Sequence, residues 1–120
     1  MSRLTSQFFE TLPQRPPQPL PRQLWGTLRC DLRRGAQTDH WYLTLGKDGI
    51  DVSHSDADAD CVMRTDEKTF ESFVTGRTNA MSAFLRGEAE VEGKTILVEA
   101  LQALFPGPQE HEGQSRDTAA

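Results

Sequence analysis

Residues 70–93 read FESFVTGRTNAMSAFLRGEAEVEG, and the spacing of apolar side chains changes within this stretch. Up to Gly87 the apolar residues recur every three or four positions, which predicts two short helices. Thr65 or Asp66 can cap the first helix, and Asn79 can cap the second. Over 88–92 small apolar residues alternate with Glu, which is typical of a strand with one buried face. The apolar residues of the two helices are Phe70, Phe73, Val74, Met81, Phe84 and Leu85.

Upstream of this stretch, apolar and polar residues alternate in three segments, which predicts three strands with one buried face. These segments are 28–32, 41–45 and 50–52. The sequence GKDG at 46–49 favours an antiparallel hairpin between the second and third strands. Residues 60–64 form a fourth candidate strand. Its alternation leaves open whether Cys61 and Met63 or Val62 faces the interior.

The outer segments complete the predicted order of elements. Residues 4–12 read as an amphipathic helix, with Leu4, Phe8 and Leu12 at helical spacing and Phe9 beside them. Five of the seven prolines follow between Pro13 and Pro21, which predicts a stiff connector. After Gly93 a last helix presents the apolar residues Leu97, Ala100, Leu101, Leu104 and Phe105.

The order is thus helix, four strands, two helices, strand and helix, which predicts an α+β fold. We expect a five-stranded, mainly antiparallel sheet with its helices packed on one face. The chain divides into an N-terminal helix with a Pro-rich connector over 1–24, a main domain over 25–105 and a disordered tail over 106–120.

The composition excludes several classes of function. The 120 residues carry 13 Lys and Arg against 18 Asp and Glu, a net charge of -5. The chain therefore lacks the excess of basic residues with which a nucleic-acid-binding protein contacts phosphates. No apolar run approaches the roughly 20 residues of a membrane span, so we expect no stable membrane insertion. The absence of a secretion-signal pattern favours a cytoplasmic location, with Cys30 and Cys61 as buried thiols. Arg29, Arg33 and Arg34 are expected on an edge strand, where charge discourages pairing between chains.

The acidic segment around residue 58 has part of the ligand spacing of a calcium loop. Asp56, Asp58, Asp60 and Glu67 occupy positions 1, 3, 5 and 12 of an EF-hand frame, but Cys61 stands where that loop needs glycine. A solvated acidic turn explains the spacing better. The cysteines and histidines show none of the short spacings of a zinc site, so we expect no metal and no cofactor.

Catalytic arrangements are equally poorly supported. Ser53, His54 and Asp56 are neighbours in sequence without a nucleophile turn, and the glutamates at 88, 90 and 92 read as a solvated strand face. No phosphate-binding glycine motif is present. The sequence therefore predicts a protein that is not an enzyme. An enzymatic role would depend on His40 or His54 lying near a pocket mouth.

Three pieces of the chain together resemble one family of lipid-binding domains. They are WYLTLGKDGIDV at 41–52, ADCVMRTD at 59–66 and the stretch 70–93, followed by a leucine-rich helix. In this order and at this spacing they resemble the sterol carrier protein type 2 family. The resemblance implies a five-stranded sheet covered by helices, enclosing an apolar cavity for a fatty acyl chain, acyl-CoA, sterol or similar lipid. The chain's last residues, DTAA, differ from a peroxisomal Ser-Lys-Leu signal.

On this resemblance the cavity is expected to be lined by apolar residues of the sheet and the helices. An empty void of about 300 Å³ would destabilise a domain by roughly 7 kcal/mol. We therefore expect the cavity either to hold a lipid or to be partly collapsed by Met81 and the last helix. The expected lining residues are Trp41, Met63, Phe70, Phe73, Met81, Phe84, Leu85, Leu97, Leu101, Leu104 and Phe105.

The sequence thus predicts non-catalytic binding, and intracellular transfer, of an apolar small molecule. The alternative is an accessory interaction or dimerisation module with a filled core. On that alternative, an exposed apolar stripe near Leu104 and Phe105 would mediate homodimer formation or docking on an enzyme.

Overall fold

The computed structural model describes residues 3–14 and 21–105. Most of the predicted Pro-rich connector, at 15–20, and the predicted disordered tail over 106–120 lie outside the described residues. The four helices are α1 (Arg3–Thr11), α2 (Glu67–Val74), α3 (Ala80–Leu85) and α4 (Leu97–Leu104). Short 3-10 turns follow α1 and precede the first strand.

Five strands form one mixed sheet. They are β1 (Gly26–Arg34), β2 (Gln37–Gly46), β3 (Gly49–Ser53), β4 (Cys61–Asp66) and β5 (Glu90–Gly93), and their spatial order is β3-β2-β1-β4-β5. β1 and β4 pair in parallel, whereas the other three pairings are antiparallel. The α+β fold with a mainly antiparallel, five-stranded sheet is therefore confirmed.

The pairing of β4 with β1 decides which β4 side chains face the helices. Cys61 lies opposite Leu28, and Met63 lies opposite Cys30. All four side chains are fully buried. Of the two alternatives that the sequence left open, the structure therefore selects the one with Cys61 and Met63 inward, and it places Val62 on the other face.

Side-chain caps begin α2 and α3 where the sequence predicts them. The carboxylate of Asp66 accepts a hydrogen bond from the Thr69 amide at 2.7 Å. The side chain of Asn79 accepts one from the Ser82 amide at 3.0 Å. Each cap satisfies an amide that has no partner within its own helix.

β1 lies in the middle of the sheet, so the expectation that Arg29, Arg33 and Arg34 mark an edge strand is wrong. The guanidinium of Arg29 donates to the backbone carbonyls of Asp56 and Ala57, both at 2.9 Å. These residues belong to the loop that carries the chain from β3 across the sheet to β4. The central arginine thus holds the crossing loop, which local alternation could not reveal.

Candidate functional site

Six aromatic residues from four parts of the chain meet between the sheet and the helices. α1 contributes two of them, β2 one, α2 two, and the residue after α4 one. Because the rings come from distant segments, their contact depends on the fold as a whole. We call this group the aromatic cluster; it consists of Phe8, Phe9, Trp41, Phe70, Phe73 and Phe105.

Phe9 lies at the centre of the aromatic cluster. Its ring stacks on the indole of Trp41, with centroids 4.5 Å apart, and on the ring of Phe70 at 5.1 Å. Phe8 stacks on Phe105 at 4.8 Å. Aromatic pairs in this range add to the stability that burial alone provides. The first helix is thereby anchored to the sheet, to α2 and to the end of α4.

An aliphatic region continues the same interior. Its side chains come from the inner face of the sheet and from α4, and they are fully buried. Together with the aromatic cluster they form one connected core. The principal members of this region are Leu28, Leu43, Met63, Leu97, Val98 and Leu101.

The structure brings together eight of the eleven predicted lining residues. The three others lie on α3: Met81 is partly buried against the core, Phe84 is half-buried, and Leu85 is 77% exposed. The eight residues in the core are Trp41, Met63, Phe70, Phe73, Leu97, Leu101, Leu104 and Phe105.

Leu85 points outward because two alanines take the inner face of α3. Ala80 and Ala83 are fully buried, and at 100° per residue Leu85 lies on roughly the opposite side of the helix. The sequence pattern favoured the larger side chains as inner residues. In this short helix the close approach of neighbouring elements selects the smaller ones.

α1 was not among the elements expected at the site. Phe8, Phe9 and Leu12 are buried in the core, although they precede the segment predicted to be the main domain. The amphipathic spacing of this helix was visible in the sequence, but the surface it would contact was not. Phe8 and Phe9 therefore share one core with the residues of the last helix, which were expected to fill the cavity together with Met81.

Trp41 marks the boundary between the interior and the exposed edge of the site. Its side chain is 1% exposed, and its indole contacts the exposed imidazole of His54, with centroids 4.2 Å apart. The indole nitrogen Nε1 is buried and has no hydrogen-bond acceptor among the described residues. Nδ1 of His54 lies 3.2 Å from the backbone carbonyl of His40 and, because a carbonyl only accepts, donates to it.

The two histidines considered for an enzymatic role lie in different environments. The side chain of His40 is on the face away from the helices, where Nδ1 lies 2.7 Å from the carboxylate of Asp31. Arg29 also contacts that carboxylate through two nitrogens, at 2.9 and 3.0 Å. Burial acts to raise the pKa of Asp31, but the hydrogen bonds and charges of Arg29 and His40 outweigh it and hold this pKa below its ordinary value.

The acidic segment forms hydrogen bonds with β1 and β2. The carboxylate of Asp60 accepts hydrogen bonds from the amide and hydroxyl of Thr27, and the Asp58 carbonyl accepts one from the hydroxyl of Tyr42. Within residues 3–14 and 21–105, no three His, Cys, Asp or Glu side chains are grouped as metal ligands would be. The described part of the chain also contains no helix with the length and apolar character of a membrane span.

Both cysteines are buried and carry free thiols. Burial, with a smaller effect of neighbouring Cys61, raises the pKa of Cys30 far above its ordinary value. Burial together with the charge of Asp60 raises the pKa of Cys61 to about 11. Thiols held in this neutral form are poor nucleophiles, so they act here as small apolar groups.

The chain is similar to two curated proteins over part of their length. The chain is 29% identical over 80 residues to a fatty acid-binding protein of Yarrowia lipolytica, covering 63% of this chain and 61% of that protein. It is 28% identical over 90 residues to peroxisomal multifunctional enzyme A of Dictyostelium discoideum, covering 73% of this chain and 20% of the enzyme. The chain therefore spans about three fifths of the first relative and a fifth of the second.

The fold matches the solution structure of palmitated SCP2L2 from Aedes aegypti with a TM-score of 0.66. The match covers 89% of this chain and 97% of the other at 15% identity, and at this identity it concerns the fold alone. The model of the SCP-2 sterol transfer family matches residues 9–106, which include the aromatic cluster from Phe9 onward. Because this match covers most of the chain, the protein belongs to the SCP-2 sterol transfer family.

Proposed function

We propose that this protein binds one apolar molecule, such as a fatty acid, acyl-CoA, sterol or other lipid, between its helices and the inner face of its sheet. Binding and transfer to another site in the cell require no covalent chemistry. The observation that carries the proposal is the aromatic cluster, which joins rings from separate elements in a chain of the SCP-2 sterol transfer family. The names of the fatty acid-binding relative and of the palmitated structure support the same ligand class.

The ligand would take the place of the α1 rings. Phe8 and Phe9 reach the interior from a helix that is not part of the sheet, so α1 can move without breaking the strand pairing. Displacing each ring loses about 2–3 kcal/mol of burial, whereas a hydrocarbon chain gains about 0.8 kcal/mol for each buried methylene. An acyl chain of about twelve carbons or more gains enough apolar burial to replace both rings.

The dependence of binding affinity on the length of the ligand's hydrocarbon chain tests this proposal. Carboxylates of increasing length should displace a fluorescent fatty acid probe with about fourfold tighter binding per added methylene, until the interior is filled. Each ligand should also raise the melting temperature. A Leu85→Ser variant, altered at the exposed surface, should bind equally well. Absence of displacement, or affinity that does not depend on chain length, contradicts the proposal.

The alternative is an interaction module, and the exposed apolar surface that it requires lies at Leu85, not near Leu104 and Phe105 as expected. Leu104 and Phe105 are buried at 4% and 6% exposure, so the expectation of an exposed stripe there is wrong. Leu85 is instead the most exposed large apolar side chain among the described residues. Self-association through this surface would appear as a dimer mass at micromolar concentration, and Leu85→Ser would abolish it.

We also propose that the protein acts in the cytoplasm. Two buried cysteines that remain unpaired, on adjacent strands of one core, suit a reducing compartment.

A further inference from the structure

The indole N–H of Trp41 is a buried donor whose hydrogen-bonding capacity is not used by the described residues. A donor buried without an acceptor costs more than a solvated one, and most buried polar groups in native proteins are paired. The Trp41 side chain is only 1% exposed, so bulk water does not supply the acceptor. This donor can therefore bind an acceptor that the described residues do not supply.

The surroundings of Trp41 differ on its two sides. Phe9 covers the ring from the interior with an interplanar angle of 12°, while the exposed imidazole of His54 contacts it from the edge of the sheet. The N–H bond lies in the plane of the indole, so stacking with Phe9 cannot satisfy it. A molecule that replaced Phe9 could stack its hydrocarbon part on the ring, and a bend near its polar end could bring an oxygen into the ring plane at the nitrogen.

We propose that Trp41 Nε1 donates a hydrogen bond to the polar end of the ligand. The ligand is then an amphipathic molecule whose polar end carries an oxygen acceptor, as a carboxylate, a carbonyl or a hydroxyl does. Its polar end lies at the indole nitrogen of Trp41, and its hydrocarbon part lies between the other rings of the aromatic cluster. This assignment rests on the proposed function and adds the orientation of the ligand and the residue that recognises its polar end.

The two tryptophans allow a direct test by NMR. In ¹⁵N-labelled protein, Trp25 and Trp41 give separate indole N–H signals, which Trp41→Phe assigns. Palmitate, hexadecanol and hexadecane are added in turn from cyclodextrin. We expect palmitate or hexadecanol to move the Trp41 indole proton further downfield than hexadecane does, because all three displace the Phe9 ring but only the first two bring an oxygen acceptor. Trp25, half-buried outside the aromatic cluster, serves as the internal control. A response to palmitate alone identifies the acceptor as a carboxylate.

Affinity provides the second readout. The preference for palmitate over hexadecane should fall about tenfold in Trp41→Phe, while hexadecane binding stays nearly unchanged. If all three ligands bind and the Trp41 signal responds to them equally, or the preference survives in Trp41→Phe, this assignment is overturned and the proposed function stands. If none of the three binds, the proposed function fails and the assignment fails with it.

Discussion

The indole of Trp41 lies almost parallel to the phenyl ring of Phe9, with centroids 4.5 Å apart. Trp41 belongs to a strand inside the sheet, and Phe9 belongs to the first helix of the chain. The Phe9 ring occupies the space over the tryptophan, where we propose that an apolar ligand lies. In our account α1 and the ligand compete for this space.

Replacement of Phe9 by alanine tests this competition. The ring is fully buried between Trp41 and Phe70, so Phe9→Ala should lower the free energy of unfolding by about 3–5 kcal/mol. The same change vacates space over Trp41, so a fluorescent fatty acid should bind more tightly. Urea unfolding and probe titration measure the two effects.

The matched control lies on the same helix. Leu4 is 43% exposed, and Leu4→Ala should change stability by no more than about 0.5 kcal/mol and leave probe binding unchanged. Weaker probe binding in Phe9→Ala, at a temperature where the variant is folded, would show that Phe9 belongs to the binding surface and does not compete with the ligand.

The sequence predicted the elements of this fold better than the contacts between them. Alternation at Leu28, Cys30 and Leu32 identifies a strand because every second side chain faces the core, and this pattern is local. That β1 lies at the centre of the sheet and pairs in parallel with β4 depends on the path of the loop between β3 and β4. The spacing of apolar residues in the sequence does not predict the path of this loop.

The site shows the same division. Phe70, Phe73 and Leu101 are buried in the core, as their helical spacing indicates, and their role in lining a ligand cavity stays a prediction. The contribution of Phe9 was missed because amphipathic spacing tells which side of a helix is buried but does not identify its partner. Leu85 was expected inside because it is large and apolar. In the structure, small residues take the inner face of α3, where this helix approaches its neighbours closely.

A pair of leucine substitutions tests the placement of these two residues. Leu101 is fully buried, and Leu101→Ala should lower the free energy of unfolding by about 2–5 kcal/mol. Leu85→Ala should change it by about 0.5 kcal/mol or less, because that side chain is 77% exposed. Equal losses in the two variants, measured by chemical denaturation, would contradict the orientation of α3.

The network around Asp31 predicts a pH dependence of stability. Its pKa in the folded protein lies below the ordinary value of about 3.9, so the ionised carboxylate stabilises the fold at neutral pH. This contribution is lost as the pH falls from the pKa of Asp31 in the unfolded chain through its lower pKa in the folded protein. Asp31→Asn should therefore cost about 2 kcal/mol at pH 7 and progressively less below pH about 4.

Unfolding in urea at several pH values measures this difference. Glu88→Gln, which alters an exposed ion pair with Arg86, provides the control and should have no measurable effect at pH 7. A difference between wild type and Asp31→Asn that remains constant down to pH 3 would contradict the role of the Asp31 charge.

The two buried thiols report on opening of the core. Because burial raises the pKa values of Cys30 and Cys61, both thiols should react very slowly with a disulfide reagent in the native protein and rapidly in urea. A bound ligand that fills the interior and stabilises the folded protein should slow the native reaction further. Immediate reaction of either thiol in the folded protein would show that the inner face of the sheet is accessible.

Native mass spectrometry tests the central claim most directly. The freshly purified protein, and the delipidated protein incubated with palmitate, should each show a species heavier than the bare chain by one lipid molecule. Pure bare-chain mass in both samples, under conditions where a known fatty acid-binding protein retains its ligand, would contradict the claim that the interior between helices and sheet is a lipid-binding site.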